Sequence, residues 1–373
     1  MTSKERMLRA LAREVPDRLP VTIHQWLPYH LEKHLGGITA LEAFRRFGID
    51  AAIPYCEAVG QAWVPDDGRP VGPDPNWRDE TTIVRANPDD CLVHHTIHTP
   101  GGTLTYKTGG NRTTTWVTEY LVKRPEDVDL VDRYMPVPRL NPRSVAAAYD
   151  ELGDDGILRG FVWGDQGGCW QHACCLFGEQ EMIFAAIDEP AWTHHFMEVL
   201  LAKKLRFIEE SLDGARFDLI ETGGGAGSSS VIGPKLHAQF CTPYDRRMHD
   251  ALHAVGQKVT YHTCGGMMPI LDLIVANGCD ASETLSPPEV GGDVRDLGEV
   301  KRRIGDRVAL IGGFNQFQVL EQGTPAAVRA EIRRLFEAVG PRGGYMCSTS
   351  DHFFEAPLAN LQAMADAARE CTY

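Results

Sequence analysis

The chain has 373 residues, of which 43% are hydrophobic and 24% are charged, a composition typical of a globular protein with a sizeable buried core. Its formal net charge of −14 and the absence of a Lys/Arg-rich run interleaved with aromatic residues argue against nucleic acid as a partner. No uninterrupted apolar run approaches the roughly 20 residues that a membrane span requires, so we expect no membrane-spanning segment.

The first thirteen residues predict a polar amphipathic helix without the apolar stretch of a signal peptide, and we therefore expect a cytoplasmic protein. The ten cysteines are irregularly spaced, which in a cytoplasmic protein favours reduced thiols over disulfides. Seven of them are expected to be small buried hydrophobic residues. These are Cys56, Cys169, Cys174, Cys175, Cys241, Cys279 and Cys371.

Eight β-strands are predicted along the chain. Three lie in the first half, at residues 19–24, 49–55 and 156–163. The second half alternates apolar runs with amphipathic helices, a pattern typical of βαβ units and a parallel sheet. The strands of that half are 217–221, 258–264, 280–285, 308–314 and 343–349, and its helices are 234–254, 268–276, 297–303 and 325–339. Eight strands of this kind predict a closed (β/α)8 TIM barrel of the α/β class.

Residues 63–134 interrupt this alternation after the second strand. The segment is rich in Thr, Gly and Pro. Its β-like runs are 81–85, 91–98, 102–107 and 113–121. We interpret it as a β-rich insertion that covers one mouth of the barrel. Because there is no short repeat and no low-complexity linker, one domain over residues 1–373 is the simpler organisation.

A histidine and a cysteine stand two positions apart at the end of one predicted strand. Residues i and i+2 share a face of a strand, so the side chains of His262 and Cys264 are expected to converge. Cys347 lies in another predicted strand, and the carboxyl ends of barrel strands meet at one mouth. Two thiolates and an imidazole suit a catalytic Zn²⁺ with one exchangeable position. The alternative is that His262 is a hydrogen-bonded core residue without a metal.

Four further polar residues lie at predicted strand ends. Glu221 is the first choice for a fourth zinc ligand that a substrate displaces, the alternative being a hydrogen-bond acceptor that faces the following glycines. Glu283 is assigned a catalytic role. Asp351 and His352 are predicted to protonate a leaving group or to orient a ligand, and the alternative is a structural salt link. Aromatic residues near strand ends either line a pocket or belong to the core. They are Trp26, Tyr29, Trp163, Trp170 and Phe314.

Five short segments carry a resemblance to a known family: SKER at 3–6, DRLPV at 17–21, YHTCG at 261–265, DL at 296–297 and GG at 312–313. Together they resemble the uroporphyrinogen decarboxylase superfamily, and within it the cobalamin-dependent methyltransferases that act with separate corrinoid proteins. The resemblance spans nearly the whole chain, with residues 63–134 least matched, and implies the family's barrel. It also implies that His262, Cys264 and Cys347 bind zinc, as a His-x-Cys and a later Cys do in those methyltransferases.

The resemblance further implies a cobalamin delivered by a partner, since the chain lacks an Asp-x-His-x-x-Gly segment. Residues 223–230 read GGGAGSSS, which matches neither a dinucleotide-binding fingerprint nor a P-loop. Gly224, Gly225 and Gly227 are therefore interpreted as a place where the backbone approaches the face of a corrin ring. A plain flexible loop is the equal alternative. True decarboxylases have an arginine-rich segment after the first strand, whereas this chain has HQWLPYH at 24–30.

The function expected from these features is methyl transfer from an O-methylated, methoxyaromatic substrate to the Co(I) of a corrinoid protein. The run SDHFF at 350–354 resembles the aryl-ether demethylase branch and favours this direction. The alternative is transfer from methyl-Co(III) to a zinc-bound thiol, which needs the same three ligands. A decarboxylase-type lyase and a non-catalytic corrinoid-binding protein are less favoured. A homodimer is left open.

Overall fold

The structure, a computed structural model, describes residues 1–55 and 74–373. The strands of this part are β1 (Val21–Thr22), β2 (Ala51–Pro54), β3 (Arg78–Asn87), β4 (Asp90–Thr99), β5 (Gly102–Gly110), β6 (Thr115–Glu119), β7 (Gly156–Phe161), β8 (Leu219–Gly223), β9 (Val259–His262), β10 (Ala281–Thr284), β11 (Ala309–Phe314) and β12 (Tyr345–Thr349). Its α-helices are α1 (Ser3–Leu11), α2 (Pro28–Leu35), α3 (Ala40–Phe47), α4 (Asp127–Tyr134), α5 (Pro142–Leu152), α6 (Cys169–Phe177), α7 (Glu179–Asp188), α8 (Pro190–Phe207), α9 (Gly233–Phe240), α10 (Thr242–Ala254), α11 (Leu271–Ala276), α12 (Leu297–Ile304), α13 (Pro325–Val339) and α14 (Leu358–Glu370).

Eight parallel strands form the central sheet in the order β1, β12, β11, β10, β9, β8, β7, β2. The sheet nearly closes on itself, because the backbone N–H of Asp50, next to β2, donates to the carbonyl of Val21 in β1 at 3.0 Å. All eight predicted barrel strands are present, and the predicted (β/α)8 barrel is confirmed. Since parallel strands in such a barrel end at one mouth, the residues after each strand are brought close together.

One layer of apolar side chains fills the lower part of the barrel. Met7 and Leu11, one helical turn apart on α1, pack against this layer and cover the amino-terminal end. The layer takes inward-facing residues from six strands, namely Ala52, Ile157, Leu219, Ala281, Ala309, Ile311 and Met346. Strand side chains alternate in direction, so every second residue beyond this layer also faces the lumen. The inward positions beyond this layer include the buried polar residues Arg159, Glu221, His262 and Glu283, which form the site described below.

The insertion after the second strand folds into an antiparallel sheet of four strands, in the order β3, β4, β5, β6. This confirms the β-rich insertion, whose residues 63–73 lie outside the described residues. Ile97 of β4 and Leu104 of β5 are buried in the main core, whereas β3 is exposed along its whole length. One face of the insertion is therefore joined to the barrel domain. The single-domain organisation remains a prediction.

Two helix predictions illustrate local sequence signals. The helix predicted for residues 1–13 is α1, whose N-cap Thr2 and Glu5 form a reciprocal capping box. The single helix predicted for residues 234–254 is wrong, because the chain breaks at Cys241 into α9 and α10. Pro243 in the first turn of α10 explains the break, since proline lacks an N–H and its ring clashes with the preceding turn.

Within the described residues, no helix has both the length and the apolar character needed to cross a membrane.

The cysteines in the described part of the chain are free thiols. Five of the seven expected to be small buried residues are buried, namely Cys169, Cys174, Cys241, Cys279 and Cys371. Cys175 is half-buried, and its thiol donates to Asp165 at 3.3 Å. Cys56 lies outside the described residues.

A buried carboxyl group on α10 predicts a pH-dependent stability. Asp245 accepts a hydrogen bond from the Tyr261 hydroxyl at 2.9 Å, and burial raises the pKa of Asp245 from 3.8 to about 7. The folded chain thus retains a proton that the unfolded chain releases, so this contribution to stability is present below pH 3.8 and is lost as the pH rises through 7. We expect the free energy of unfolding of Asp245→Asn, relative to that of the wild type, to increase as the pH is raised from 5 to 8. Urea unfolding at each pH measures this difference.

Asp250→Asn is the matched control, because Asp250 lies on the same helix and is exposed beside Arg246. The difference in free energy of unfolding between Asp250→Asn and the wild type should hardly change over this pH range. If the corresponding difference for Asp245→Asn is equally independent of pH, the prediction is contradicted.

Candidate functional site

A cavity of about 390 Å³ opens at the carboxyl ends of the barrel strands. This is the mouth at which parallel barrels place their reactive groups. Polar side chains from β7 and β8, and from the segments that follow β1, β7 and β12, line the cavity beside a few apolar residues. The lining residues are His24, Gln25, Pro54, Arg159, Phe161, Val162, Gly164, Asp165, Gln166, Glu221 and His352.

His262 and Cys264 meet at one edge of this mouth. His262 is the last residue of β9 and is only 1% exposed, whereas Cys264 is half-buried. The His262 Nε2 atom and the Cys264 Sγ atom are 2.7 Å apart. The structure therefore brings together the imidazole and the thiol of the His-x-Cys segment, as expected for residues i and i+2 of a strand.

Hydrogen bonds orient the His262 ring. The Gly225 N–H donates to Oε1 of Gln166 at 3.0 Å, which leaves the amide Nε2 of Gln166 facing Nε2 of His262 at 3.2 Å. On the other side of the ring, Nδ1 lies 3.1 Å from Oε1 of Glu283. A ring with a proton on Nδ1 satisfies the contact with Glu283 and turns Nε2 toward Gln166 and Cys264. Burial acts to lower the pKa of His262, but Cys264, Glu221 and Glu283 outweigh it and hold that pKa above its ordinary value. A carboxylate on the far nitrogen is the usual support of a metal-binding histidine.

Two buried glutamates and one arginine surround the Nδ1 side of His262. The Arg159 guanidinium donates to Glu221 at 2.7 Å and to Glu283 at 2.6 and 2.8 Å. Burial, together with the charge of Glu283, raises the pKa of Glu221 to about 7. Burial acts in the same direction on Glu283, but Arg159 and His262 outweigh it and hold its pKa well below the ordinary value. The cluster therefore holds Glu283 as the carboxylate that supports His262.

Glu221 was expected as a fourth ligand beside Cys264, but its Oε1 lies 3.4 Å from Nδ1 of His262, on the side of the ring opposite Cys264. Glu283, expected to be catalytic, contacts the same nitrogen. Both glutamates are therefore placed to orient His262. His24, His262 and Glu283 form a second set of side chains that could hold a metal ion. One ring nitrogen of each histidine and one carboxylate oxygen of Glu283 all lie within 4.8 Å of one another.

Cys347 lies on the outer face of β12. Strand residues alternate, and Met346 faces the lumen with Ile311, so Cys347 and Tyr345 face the surrounding helices. Cys347 is fully buried there, and burial raises its pKa to about 12, with Glu331 of α13 among its charged neighbours. The structure does not bring Cys347 together with His262 and Cys264. The three ligands expected to converge are corrected to two, because Cys347 is at an outward-facing position of β12.

The glycine segment after β8 packs against the protein itself. Gly224 and Gly227 are buried, and a Cβ atom on Gly224 would lie 2.6 Å from Gln171. Gly225 is half-buried, and a Cβ atom there would lie 3.3 Å from the Cβ of Cys264. The absence of side chains thus lets residues 224–227 approach Gln171 and Cys264 closely. Of the three glycines assigned to corrin binding, only Gly225 is partly accessible.

Asp351 and His352 form a pair at the opposite wall of the cavity. The His352 ring lies 2.9 Å from Asp351 through Nδ1 and 3.0 Å from Oε1 of Gln25 through Nε2. Although burial raises the pKa of Asp351, the hydrogen bonds from His352 lower it to about 2. Asp351 is therefore a carboxylate that orients His352, and His352 is the member of the pair that faces the cavity. The His24 ring lies 5.3 Å from both His352 and His262.

The sequence reasoning missed three residues of the site: His24, Arg159 and Gln166. His24 and Arg159 belong to predicted strands, and a charged residue within the apolar run GILRGFVW was a signal for a buried functional group. Gln166 lies in a turn at 164–167 in which all four residues have positive φ, including Asp165 at 31° and Gln166 at 48°. Non-glycine residues in this region are strained, and such strain often occurs at functional sites.

The aromatic residues near strand ends divide between core and cavity. Trp26 stacks on Phe47, and Trp170 donates through its indole N–H to the carbonyl of Ala226. Both are buried, as is Phe314, and they belong to the core. Tyr29 donates to Glu355 near the surface. Trp163 lines a second cavity, described further below.

Comparisons with known proteins agree with this architecture. A family model described as Uroporphyrinogen decarboxylase (URO-D) matches residues 88–371. Proteins named uroporphyrinogen decarboxylase from Bordetella parapertussis and Aliivibrio salmonicida are 32% and 28% identical over 167 and 200 residues, covering 42% and 51% of both chains. The chain thus spans about half the length of the curated relatives it matches. A solved methyltransferase from Methanosarcina mazei has the same fold, with a TM-score of 0.68 at 18% identity and 99% of each chain covered.

The family match covers well over half of the chain, and a solved protein shares the fold along the full length of the chain. The chain belongs to the uroporphyrinogen decarboxylase family.

Proposed function

We propose that this protein is a zinc-dependent methyltransferase that moves a methyl group from a methoxyaromatic substrate to the Co(I) of a separate corrinoid protein. The observation that carries the proposal is the pair formed by Nε2 of buried His262 and Sγ of Cys264, which lie 2.7 Å apart. This pair lies beside a cavity large enough for a one-ring substrate. The family and the fold shared with a methyltransferase support the same assignment.

Nε2 of His262 and Sγ of Cys264 would supply two of the three protein ligands that a catalytic zinc ion usually has. Imidazole nitrogen and thiolate sulfur are the donors that zinc prefers, and Glu283 on Nδ1 completes the usual support. When bound there, zinc would act as a Lewis acid that weakens the C–O bond of the ether. Cys347 is not part of this proposal, because its side chain points to the outer helices.

The remaining residues of the cavity would bind the substrate and supply a proton. Cleaving an aryl methyl ether by Co(I) gives methyl-Co(III) and a phenolate, and the phenolate must take up one proton. His352 faces the cavity, and Asp351 orients its ring through Nδ1 at 2.9 Å. Its Nε2 atom, which contacts Oε1 of Gln25 at 3.0 Å, would donate the proton once the phenolate oxygen takes the place of that amide oxygen.

The cavity is poorly suited to porphyrinogen decarboxylation. Within residues 1–55 and 74–373, Arg159 is the one lysine or arginine that lines it, and its guanidinium already contacts the carboxylates of Glu221 and Glu283. Among these lining residues, a substrate with several carboxylates would face Asp165 and Glu221 without a further cation. This supports a neutral substrate over a polyanionic one.

The proposed reaction is tested by mixing the purified, zinc-loaded protein with chemically reduced cobalamin and a panel of methoxyarenes. We expect the absorption spectrum of Co(I) to be replaced by that of methyl-Co(III) with at least one donor. The variant His352→Gln, which retains the hydrogen-bonding shape but donates no titratable proton, is expected to slow this change by about 10²-fold or more.

A matched reverse assay supplies methylcobalamin and 2-mercaptoethanol. Methylation of the thiol, combined with no spectral change for any methoxyarene, would overturn the proposed direction in favour of the thiol methyltransferase. No reaction in either assay would count against corrinoid chemistry altogether.

A further inference from the structure

A second cavity, of about 340 Å³, lies between the inserted antiparallel sheet and the barrel. The sheet and the segment before it contribute Trp77, Asp79, Ile97, Tyr106 and Val117. The barrel side contributes Leu121, Met135, Pro136, Pro138, Trp163, Cys175 and Leu176. Three of the lining residues are aromatic and most of the others are aliphatic, so the walls of the cavity are largely apolar. The volume of the cavity is within the range of small-molecule sites.

The polar groups of this cavity select against anions. In the part of the chain that the structure describes, the lining contains no lysine or arginine, and its one charged residue is Asp79. The Oδ2 atom of Asp79 is held by the His95 ring at 3.2 Å and by the Tyr106 hydroxyl at 3.4 Å. The His95 and Tyr106 rings stack 4.1 Å apart, which fixes this arrangement. Since a carboxylate has further lone pairs, Asp79 can also accept a hydrogen bond from a ligand.

The second cavity is linked to the catalytic one through adjacent residues of a single turn. Trp163 lines the second cavity, whereas Gly164, Asp165 and Gln166 line the first. Cys175 lines the second cavity and donates to Asp165 at 3.3 Å. A ligand that contacts Trp163 would therefore lie one residue from the turn that positions Gln166 on His262.

We propose that the second cavity binds a neutral phenolic compound, with its ring among Trp77, Tyr106 and Trp163 and its hydroxyl donating to Asp79. The apolar aromatic walls suit a planar ring, and the lone carboxylate suits a hydroxyl donor while repelling a carboxylate. The relation to catalysis rests on the proposed function, because phenols are the products of aryl methyl ether cleavage. The binding site itself requires neither zinc nor corrinoid.

The test measures binding of phenol and 2-methoxyphenol to the full chain by calorimetry, with no zinc or cobalamin present. We expect saturable binding by both, and an affinity for benzoate lower by roughly tenfold or more, since an unpaired carboxylate would face Asp79. Asp79→Asn and Trp77→Ala are each expected to weaken phenol binding by roughly tenfold. Trp116→Ala is the matched control, because Trp116 is exposed on the same sheet and does not line the cavity.

Two outcomes would overturn the proposal: no binding of either phenol, or unchanged binding by both Asp79→Asn and Trp77→Ala. Asp79 is exposed enough that Asp79→Asn should fold even if Trp77→Ala does not. Weaker binding by His24→Ala with unaltered binding by the cavity variants would place the phenol in the catalytic cavity, which also overturns it. A failed methyl-transfer assay would leave the binding result standing, so the two proposals fail separately.

Discussion

Cys264→Ser is expected to lower zinc occupancy of the purified protein by at least tenfold, whereas Cys347→Ser should retain it. Cys264 offers its sulfur 2.7 Å from Nε2 of His262, and serine is a much weaker zinc ligand. Cys347 is buried among Tyr345 and the outer helices, so its removal changes packing but no metal ligand. Zinc per chain is measured by elemental analysis after dialysis against a weak chelator.

Cys241→Ser is a suitable control for burying a hydroxyl in place of a thiol, since Cys241 is also buried and precedes α10. Loss of zinc in Cys347→Ser, but not in Cys241→Ser, would contradict the structural assignment. That result would restore Cys347 to the ligand set expected from the sequence.

Arg159→Met should destabilise the fold by about 3–5 kcal/mol. The substitution leaves Glu221 and Glu283 buried together without their shared cation, to which both now bond at 2.6 to 2.8 Å. Uncompensated buried carboxylates are among the costliest defects in a protein interior. The free energy of unfolding in urea, measured at pH 8 on the metal-free protein, gives the effect directly.

The control combines Arg159→Met with Glu221→Gln and Glu283→Gln. This triple variant removes the charges of the whole cluster, so we expect it to recover a large part of the lost stability. Arg216→Met, at an exposed pair with Asp150, should cost less than about 1 kcal/mol. A triple variant as unstable as Arg159→Met would show that packing of the arginine, rather than its charge, is what stabilises the cluster.

The barrel could be predicted because its signals are local and repeated. Each strand is an apolar run bounded by polar or glycine residues, and each following helix has an apolar stripe, as in α13 with Val328, Ile332 and Leu335 buried. The insertion was recognisable because its Thr-rich and Gly-rich runs break that alternation. The split between α9 and α10 was missed, although Pro243 signals it, because the apolar periodicity continues across the break.

The site was only partly predictable, and the parity of the strands explains the difference. His262 and Cys264 are two residues apart on one strand end, so their convergence follows from the sequence spacing alone. Whether Cys347 joins them depends on whether its side chain faces the lumen or the outer helices. The pairing of β12 with its two neighbours decides this, because Cys347 lies opposite Val21 of β1 and opposite Gly312 of β11.

The sequence by itself determined the eight-stranded barrel, the place of the insertion and the His-x-Cys pair, because these depend on periodicity and short spacing. The tertiary structure alone decided that Arg159 joins Glu221 and Glu283 across three strands, and that both glutamates support His262 on the side opposite Cys264. Contacts between distant segments depend on the register and inward parity of neighbouring strands. Those are set when the sheet closes around its packed core, and no local pattern in the chain encodes them.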